Sequence, residues 1–154
     1  MTSAAHLTIP SPLGDLTIFE ENGAIVAVEF GRAGLNAGKP TALLKRAARQ
    51  LDDYFDGKRR AFDLPLKPAG TPFQRRVWAR LAAIPNGRVE TYGAIAGRLK
   101  SGARAVGTAC GANPIPVLIP CHRVLGAGGR MGGYSGEGGV ATKRWLLAHE
   151  GVTP

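Results

Sequence analysis

The segment Leu64-Pro65-Leu66-Lys67-Pro68-Ala69-Gly70 constrains the fold most, because it places two prolines and a glycine between two differently patterned parts of the chain. Proline and glycine disfavour both helix interiors and strand ladders, so we expect an irregular linker here. Thr71-Pro72-Phe73-Gln74 follows at once, with an N-cap threonine and a glutamine three residues later, which predicts a helix opened by a capping box. We therefore predict two domains in this chain of 154 residues, 1–66 and 67–154.

The first predicted domain contains a strand pattern followed by a helix pattern. Asn22-Gly23 separates the apolar runs 16–19 and 24–28, which is a strong signal for a β-hairpin. Residues 6–9 predict a third strand, and apolar side chains at helical spacing predict an amphipathic helix near 41–56. We expect a small α/β domain with an antiparallel sheet.

The second predicted domain is helical. The helix that opens at Thr71 is expected to continue to the Pro85-Asn86-Gly87 turn. Two short helices, 92–99 and 103 to about 112, are separated by Lys100-Ser101-Gly102, which is a helix-turn-helix pattern. The predicted fold class is α+β, with the α/β domain followed by a helical, winged-helix-like domain that contains the helix-turn-helix.

The third of these helices consists almost entirely of small side chains. Its two interior glycines, Gly107 and Gly111, each cost about 1 kcal/mol relative to alanine. One interpretation is close packing against another helix. The other is a thin helix that approaches a nucleic acid, with Arg104 as its single long side chain.

The charge is distributed unevenly along the chain. Residues 1–66 contain eight basic and eight acidic side chains, whereas residues 67–154 contain twelve basic and three acidic ones. The net charge of +9 therefore comes from the second part, which indicates a polyanionic partner, most simply nucleic acid. No apolar run approaches the roughly 18 residues that span a bilayer, and the N-terminus is unlike a secretory signal. We expect a cytoplasmic protein without a membrane partner.

The two cysteines, Cys110 and Cys121, have neither zinc-ligand spacing nor a context that favours a disulfide, so we expect no metal. The proline-rich residues 113–120 are expected to be extended and to deliver Cys121 into a buried position. A buried cysteine is usually an inert apolar residue. His122-Arg123 favours the alternative, because a base and a positive charge raise the thiolate fraction. Direct contact between neighbouring side chains would require a turn or a bridging water.

Glu150 lies in the last turn of the final predicted helix, where a carboxylate opposes the helix dipole. It is either a solvated surface residue or the carboxylate that orients the imidazole of a Cys–His–Glu relay. His149 is a competing partner for Cys121, and we rank it below His122.

Five short motifs together resemble the O6-alkylguanine-DNA alkyltransferases, also called methylated-DNA–protein-cysteine methyltransferases. The resemblance is specific over residues 71–151 and looser over the first 66. The motifs, in chain order, are Arg104-Ala105-Val106-Gly107, Gly111-Ala112-Asn113-Pro114, Pro120-Cys121-His122-Arg123, Tyr134-Ser135-Gly136 and the ending that carries Lys143, Leu146, Leu147 and Glu150.

The resemblance implies irreversible, single-turnover transfer of an alkyl group from O6-alkylguanine, and also from O4-alkylthymine, to Cys121, without a cofactor. His122 would be the water-mediated base, oriented by Glu150. Tyr92 would protonate the leaving guanine, and Asn113 would brace the turn that holds the cysteine. Substrate-binding positions would be Tyr134, Ser135, Val124 and Pro116.

The resemblance also implies a monomer that binds the minor groove of double-stranded DNA with little sequence dependence and flips the damaged base out. Arg104 would fill the gap left in the duplex. The other DNA-binding positions would be Ala103, Gly107, Thr108, Gly111 and Thr91. Gly111 departs from relatives that carry a basic residue there, and Cys110 stands where a larger apolar residue is common. The competing hypotheses are a lesion sensor that does not transfer the alkyl group, a helix-turn-helix regulator and a cysteine hydrolase.

Overall fold

The computed structural model describes residues 4–32, 39–132 and 139–153. The chain forms two compact units, Met1–Ala69 and Gly70–Pro154. The division falls three residues after the boundary predicted from sequence.

The first part of the predicted linker is bound to the sheet, so the expectation that it avoids strand pairing was wrong. The backbone N–H of Ile25 donates to the carbonyl of Pro65, and that of Lys67 donates to the carbonyl of Ile25, both at 2.8 Å. Proline lacks a donor, but its carbonyl still accepts, and Lys67 retains its own N–H. This is why the segment up to Ala69 belongs to the first unit.

The first unit is a three-stranded antiparallel sheet with one helix. Asn22 (φ 51°) and Gly23 (φ 79°) both adopt left-handed conformations, as a two-residue type I′ turn requires, so the predicted hairpin is confirmed. The strands lie in the order β1-β2-β3. The elements are β1 (Ala4–Ile9), β2 (Leu16–Glu21), β3 (Ala24–Phe30) and α1 (Ala42–Phe55).

The core of this unit forms between the sheet and α1. β2, β3 and α1 contribute side chains with no exposed surface, and α1 is amphipathic as predicted. Thr41 caps α1 by accepting a hydrogen bond from the N–H of Leu44 at 3.1 Å. The fully buried aliphatic side chains are Leu16, Ile18, Ile25, Leu44 and Leu51.

The second unit is built mainly from helices. The capping box at its start is confirmed, since the Gln74 N–H donates to the Thr71 hydroxyl at 3.1 Å and the Thr71 N–H donates to the Gln74 side chain at 2.9 Å. The elements are α2 (Pro72–Ala82), β4 (Glu90–Thr91), α3 (Tyr92–Leu99), α4 (Ala103–Gly111), β5 (Val124–Leu125) and α5 (Val140–His149). No helix in the described ranges is long and apolar enough to cross a membrane.

The helix-turn-helix consists of α3 and α4, and Lys100 (φ 54°) makes the left-handed turn between them. β4 and β5 pair in parallel, with Glu90 opposite Val124 and Thr91 opposite Leu125. This ladder holds the start of α3 beside the residues that follow Cys121. The mixed fold, with an antiparallel sheet followed by a helical part, confirms the predicted α+β class.

Candidate active site

The loop that leads to the cysteine is folded back on itself, so the expected extended conformation of residues 113–120 was wrong. The Ile119 N–H donates to the Ile115 carbonyl at 2.8 Å, and Val117 has a left-handed φ of 72°. The Asn113 side chain accepts from the Ile115 N–H at 2.9 Å and donates to the Ile119 carbonyl at 2.8 Å. A proline restricts its own φ and the residue before it, but Val117 follows Pro116 and can turn. The buried Asn113 amide then holds both ends of this loop.

Cys121 begins a single 3-10 turn, Cys121–Arg123, and is only 6% exposed. Burial raises the pKa of its thiol, while a hydrogen bond from the Asn113 side chain, the charge of Lys143 and a backbone hydrogen bond lower it. The net shift is upward, so the thiol is protonated at neutral pH. Its use as a nucleophile therefore requires a base.

His122 has no exposed surface, and its Nε2 lies 2.9 Å from Oε2 of Glu150. A carboxylate only accepts hydrogen bonds, so Nε2 carries the proton and Nδ1 carries the lone pair. Nδ1 has no hydrogen-bond partner among the described residues. Burial lowers the pKa of His122 more than the adjacent carboxylate raises it, so the imidazole is neutral at neutral pH.

Glu150 is buried at the C-cap of α5, and the surface-residue interpretation was wrong. Arg123 donates from Nε to Oε1 and from Nη2 to Oε2 of Glu150, each at 2.8 Å. The guanidinium thus faces the carboxylate, and it is not among the groups that shift the pKa of Cys121. Sequence proximity had suggested that Arg123 acts on the thiol.

Lys143 supplies the positive charge near the thiol, and the sequence interpretation gave it no role. Its side chain is fully buried, and its Nζ donates to the Val124 carbonyl at 2.6 Å and lies 5.7 Å from the centre of the Tyr92 ring. The sequence signal that could have revealed the burial of Lys143 is its spacing along α5. The buried face of α5 includes Lys143, Leu146, Leu147 and Glu150, at intervals of three and four residues.

Tyr92 is the first residue of α3 and lies close enough to both cysteines for their charges to affect its pKa. Burial raises its pKa to about 12, with further contributions from Cys110 and Cys121, so its hydroxyl remains a proton donor at neutral pH. The backbone of Gly132 approaches its ring, where a Cβ atom would lie 2.9 Å from the ring and the hydroxyl. Any larger residue at position 132 would displace the tyrosine.

The two interpretations of the small-residue helix apply to different faces of α4. Val106, Ala109 and Cys110 are buried in the unit, and the Trp78 indole donates to the Ala109 carbonyl at 2.8 Å. The opposite face is exposed and consists of Ala103, Arg104, Ala105, Thr108 and Gly111. Arg104 lines an open groove between α4 and the start of α2.

The other positions predicted to bind substrate or DNA do not form a single cluster among the described residues. Thr91 caps α3 by accepting from the Ala94 N–H at 3.0 Å. Gly107 lies near the Tyr92 ring, Pro116 is half-buried, and Val124 is fully buried. Tyr134 and Ser135 lie outside the described residues.

His149, the competing partner, stacks on Trp145 with ring centroids 4.9 Å apart. Both cysteines are free thiols. Within residues 4–32, 39–132 and 139–153, no group of three or more His, Cys, Asp or Glu side chains is placed to hold a metal ion.

The second unit thus combines a helix-turn-helix with a buried thiol, a neutral imidazole and a carboxylate that orients it. This arrangement defines a class of helix-turn-helix proteins with a buried Cys, His and Glu in one unit. The family description "6-O-methylguanine DNA methyltransferase, DNA binding domain" matches residues 72–152, and "6-O-methylguanine DNA methyltransferase, ribonuclease-like domain" matches residues 6–68. The chain belongs to the O6-methylguanine DNA methyltransferase family.

Curated relatives agree with this assignment. A methylated-DNA–protein-cysteine methyltransferase of Shigella flexneri is 51% identical over 165 residues, covering 93% of each chain. One of Mycobacterium tuberculosis is 39% identical over 152 residues, covering 94% of this chain and 91% of the relative. One of Salmonella typhimurium is 52% identical over 105 residues, which span 60% of that relative's length.

Solved structures show the same fold over nearly the whole chain. The O6-methylguanine methyltransferase of Mycobacterium tuberculosis superposes with a TM-score of 0.85 at 38% identity, covering 99% of this chain and 96% of that one. A structure of the Mycobacterium tuberculosis protein in complex with DNA gives a TM-score of 0.83 at 40% identity, covering 94% and 91%.

Proposed function

We propose that the protein repairs alkylated DNA by transferring the alkyl group of O6-alkylguanine irreversibly to Cys121. The observation that carries this proposal is the geometry around His122. This residue presents a lone pair at Nδ1 in the turn that contains Cys121, and Glu150 holds the opposite ring nitrogen. Relatives named methylated-DNA–protein-cysteine methyltransferase support the same chemistry.

In the proposed step, a bridging water passes the thiol proton of Cys121 to Nδ1 of His122. The sulfur attacks the alkyl carbon, an S–C bond forms, and the C–O bond to guanine breaks. The electron pair of that bond stays on the guanine, and Tyr92 supplies a proton that makes the base a better leaving group. Regenerating Cys121 would require the S–C bond of the product thioether to break with a thiolate as the leaving group. A thiolate is a poor leaving group from an alkyl carbon, so each molecule acts once. The same step applies to O4-alkylthymine.

The buried position of Cys121 requires the damaged base to leave the duplex, because its alkyl carbon is inaccessible in the stack. The exposed small side chains of α4 suit close approach to a minor groove about 6 Å wide. Arg104 projects from that face and is proposed to occupy the space left by the flipped base. The proposed contacts of the DNA sugar-phosphate backbone are Ala103, Thr108 and Gly111.

We propose recognition of double-stranded DNA mainly through phosphates and shape, since the net charge of +9 favours contacts that carry no sequence information. Repair at any guanine needs such a mode. We further propose that the protein acts as a monomer and in the cytoplasm. Pro116, Val124, Tyr134 and Ser135 are proposed to line the base pocket.

The test is incubation of the protein with duplex DNA that carries a radiolabelled O6-methylguanine, followed by measurement of protein-bound label. We expect label to reach about one equivalent per protein and to be absent in Cys121→Ser. Cys110→Ser is the matched control and is expected to be labelled like the wild type. Repeated turnover, labelling at another residue, or binding without transfer would contradict the proposal, and the last outcome would identify a lesion sensor.

A further inference from the structure

Glu150 is shared between two buried partners. Its Oε2 receives hydrogen bonds from both His122 Nε2, at 2.9 Å, and Arg123 Nη2, at 2.8 Å. Its Oε1 receives the Arg123 Nε at 2.8 Å. The carboxylate that orients the imidazole is therefore itself held at both oxygens by a guanidinium.

Arg123 is fixed by a third contact, which lies outside this pair. Its Nη1 donates to the Ile84 carbonyl at 2.6 Å, and the residue is only 6% exposed. A guanidinium with three directed hydrogen bonds cannot rotate without losing them, and the planar fork fits a carboxylate in one orientation. The hydrogen bonds of Arg123 therefore fix the position of the Glu150 carboxylate.

The pair also changes the charge that the imidazole experiences. A lone carboxylate beside a buried histidine favours the imidazolium form, which has no lone pair to accept a proton. The Arg123 charge compensates that of Glu150, so the hydrogen bond to Nε2 remains while its electrostatic preference for imidazolium is reduced. The same turn of 3-10 helix therefore carries both the base and the cation that opposes its protonation.

We infer that Arg123 is a positioning residue, which holds Glu150 in place and keeps His122 neutral, with the Nδ1 lone pair available, before the reaction. The effect on alkyl transfer rests on the proposed function. The effect on the imidazole does not depend on it.

Three charged groups shift the pKa of His122, namely Glu150, Arg123 and Lys143. Glu150, at the end of α5, favours the imidazolium. Lys143 of α5 opposes it, and so does Arg123 of the 3-10 turn. From α2, the buried residues are Val77, Trp78 and Leu81, and Arg80 of that helix pairs with Glu90. Arg123 contacts the carboxylate directly, through Nε and Nη2.

The experiment compares Arg123→Gln with Arg123→Lys by two measurements. The first is ¹⁵N NMR titration of the imidazole nitrogens in the full chain, which has three histidines. The second is the pH dependence of single-turnover methyl transfer from O6-methylguanine duplex. Arg80→Gln is the matched control, because it removes a guanidinium from another carboxylate of the same unit, Glu90.

We expect Arg123→Gln to raise the pKa of His122 by about one pH unit or more, because Glu150 is then uncompensated. The acid limb of the rate profile should move to higher pH, so the rate loss is about tenfold larger below the limb than above it. Arg123→Lys keeps the positive charge but loses the paired guanidinium hydrogen bonds to Glu150. The pH of its acid limb should therefore be unchanged, and its rate should be lower by the same factor at every pH. Arg80→Gln should leave both measurements unshifted.

A uniform loss of rate in Arg123→Gln, with an unchanged His122 titration, would overturn the inference and assign Arg123 a merely structural role. If that variant does not fold, Arg123→Lys decides, because transfer at the wild-type rate without the guanidinium fork would overturn the inference. If the wild type transfers no methyl group, the proposed function fails, and the NMR titration still decides the role of Arg123.

Discussion

Cys110 and Cys121 are similar in burial and different in surroundings. They are 5% and 6% exposed, and burial raises the pKa of both thiols, that of Cys110 to about 12. Cys110 lies on α4, where the charge of Lys143 lowers its pKa and Cys121 raises it further. Cys121 has the same cation and, in addition, hydrogen bonds from Asn113 and from the backbone.

Burial is common to both thiols, so it does not distinguish Cys121, the proposed nucleophile, from Cys110. A buried thiol is a poor acid because its anion loses hydration. What distinguishes Cys121 is a set of donors that stabilise the thiolate and a neutral imidazole in the same turn that can take the proton. Each of these differences can be removed by one substitution.

The largest effect is expected for Asn113→Ala. This change removes the hydrogen bond to the thiol and the two backbone contacts that fold the preceding loop. A hydrogen bond to a charged group contributes about 1.5–3 kcal/mol, so we expect transfer to slow by about 100-fold. The free energy of unfolding should fall by about 2 kcal/mol, measured by urea denaturation. A variant that loses stability but transfers at the wild-type rate would contradict this role for Asn113.

Lys143→Met is expected to have a smaller effect that depends on pH. Removing the cation raises the pKa of Cys121, so the thiolate becomes rarer, and transfer at neutral pH should slow by about tenfold. The deficit should shrink as the pH rises toward the pKa of the thiol, because the anion then forms without help. Single-turnover rates across pH measure this directly. Arg144→Met, on the exposed side of α5, is the control and should show no such pH dependence.

Cys110→Ala is expected to have the smallest effect. The side chain is buried on α4, so its loss should lower the free energy of unfolding by about 1 kcal/mol and change the transfer rate by less than about twofold. Urea denaturation and the labelled-duplex assay measure the two quantities. If Cys110→Ala abolishes transfer, the contrast between the two cysteines is wrong.

Local signals in the sequence predicted most of the fold. Asn22-Gly23 requires two left-handed residues and formed the expected turn, and Thr71 with Gln74 formed the capping box. Such features depend on neighbouring residues. The loop after Asn113 was predicted wrongly, because its shape depends on one left-handed valine, Val117, and on hydrogen bonds between residues six apart.

The site was only partly predictable, because its contacts join distant parts of the chain. Arg123 is adjacent to the cysteine in sequence, yet its side chain faces Glu150, 27 residues later. Lys143 carries no local mark of burial, and only its spacing with Leu146 and Glu150 on α5 could have revealed it. The roles assigned to Cys121 and to Tyr92 remain predictions.

The hydrogen bond from Trp78 to the Ala109 carbonyl gives the protein a built-in optical reporter. The indole is 2% exposed and is tied to the last turn of α4, whereas the other tryptophan, Trp145, is stacked on an imidazole. Indole emission responds to the polarity and hydrogen bonding around the ring. A displacement of α4 would therefore change the fluorescence of Trp78, so movements of this helix can be followed in solution without any attached dye.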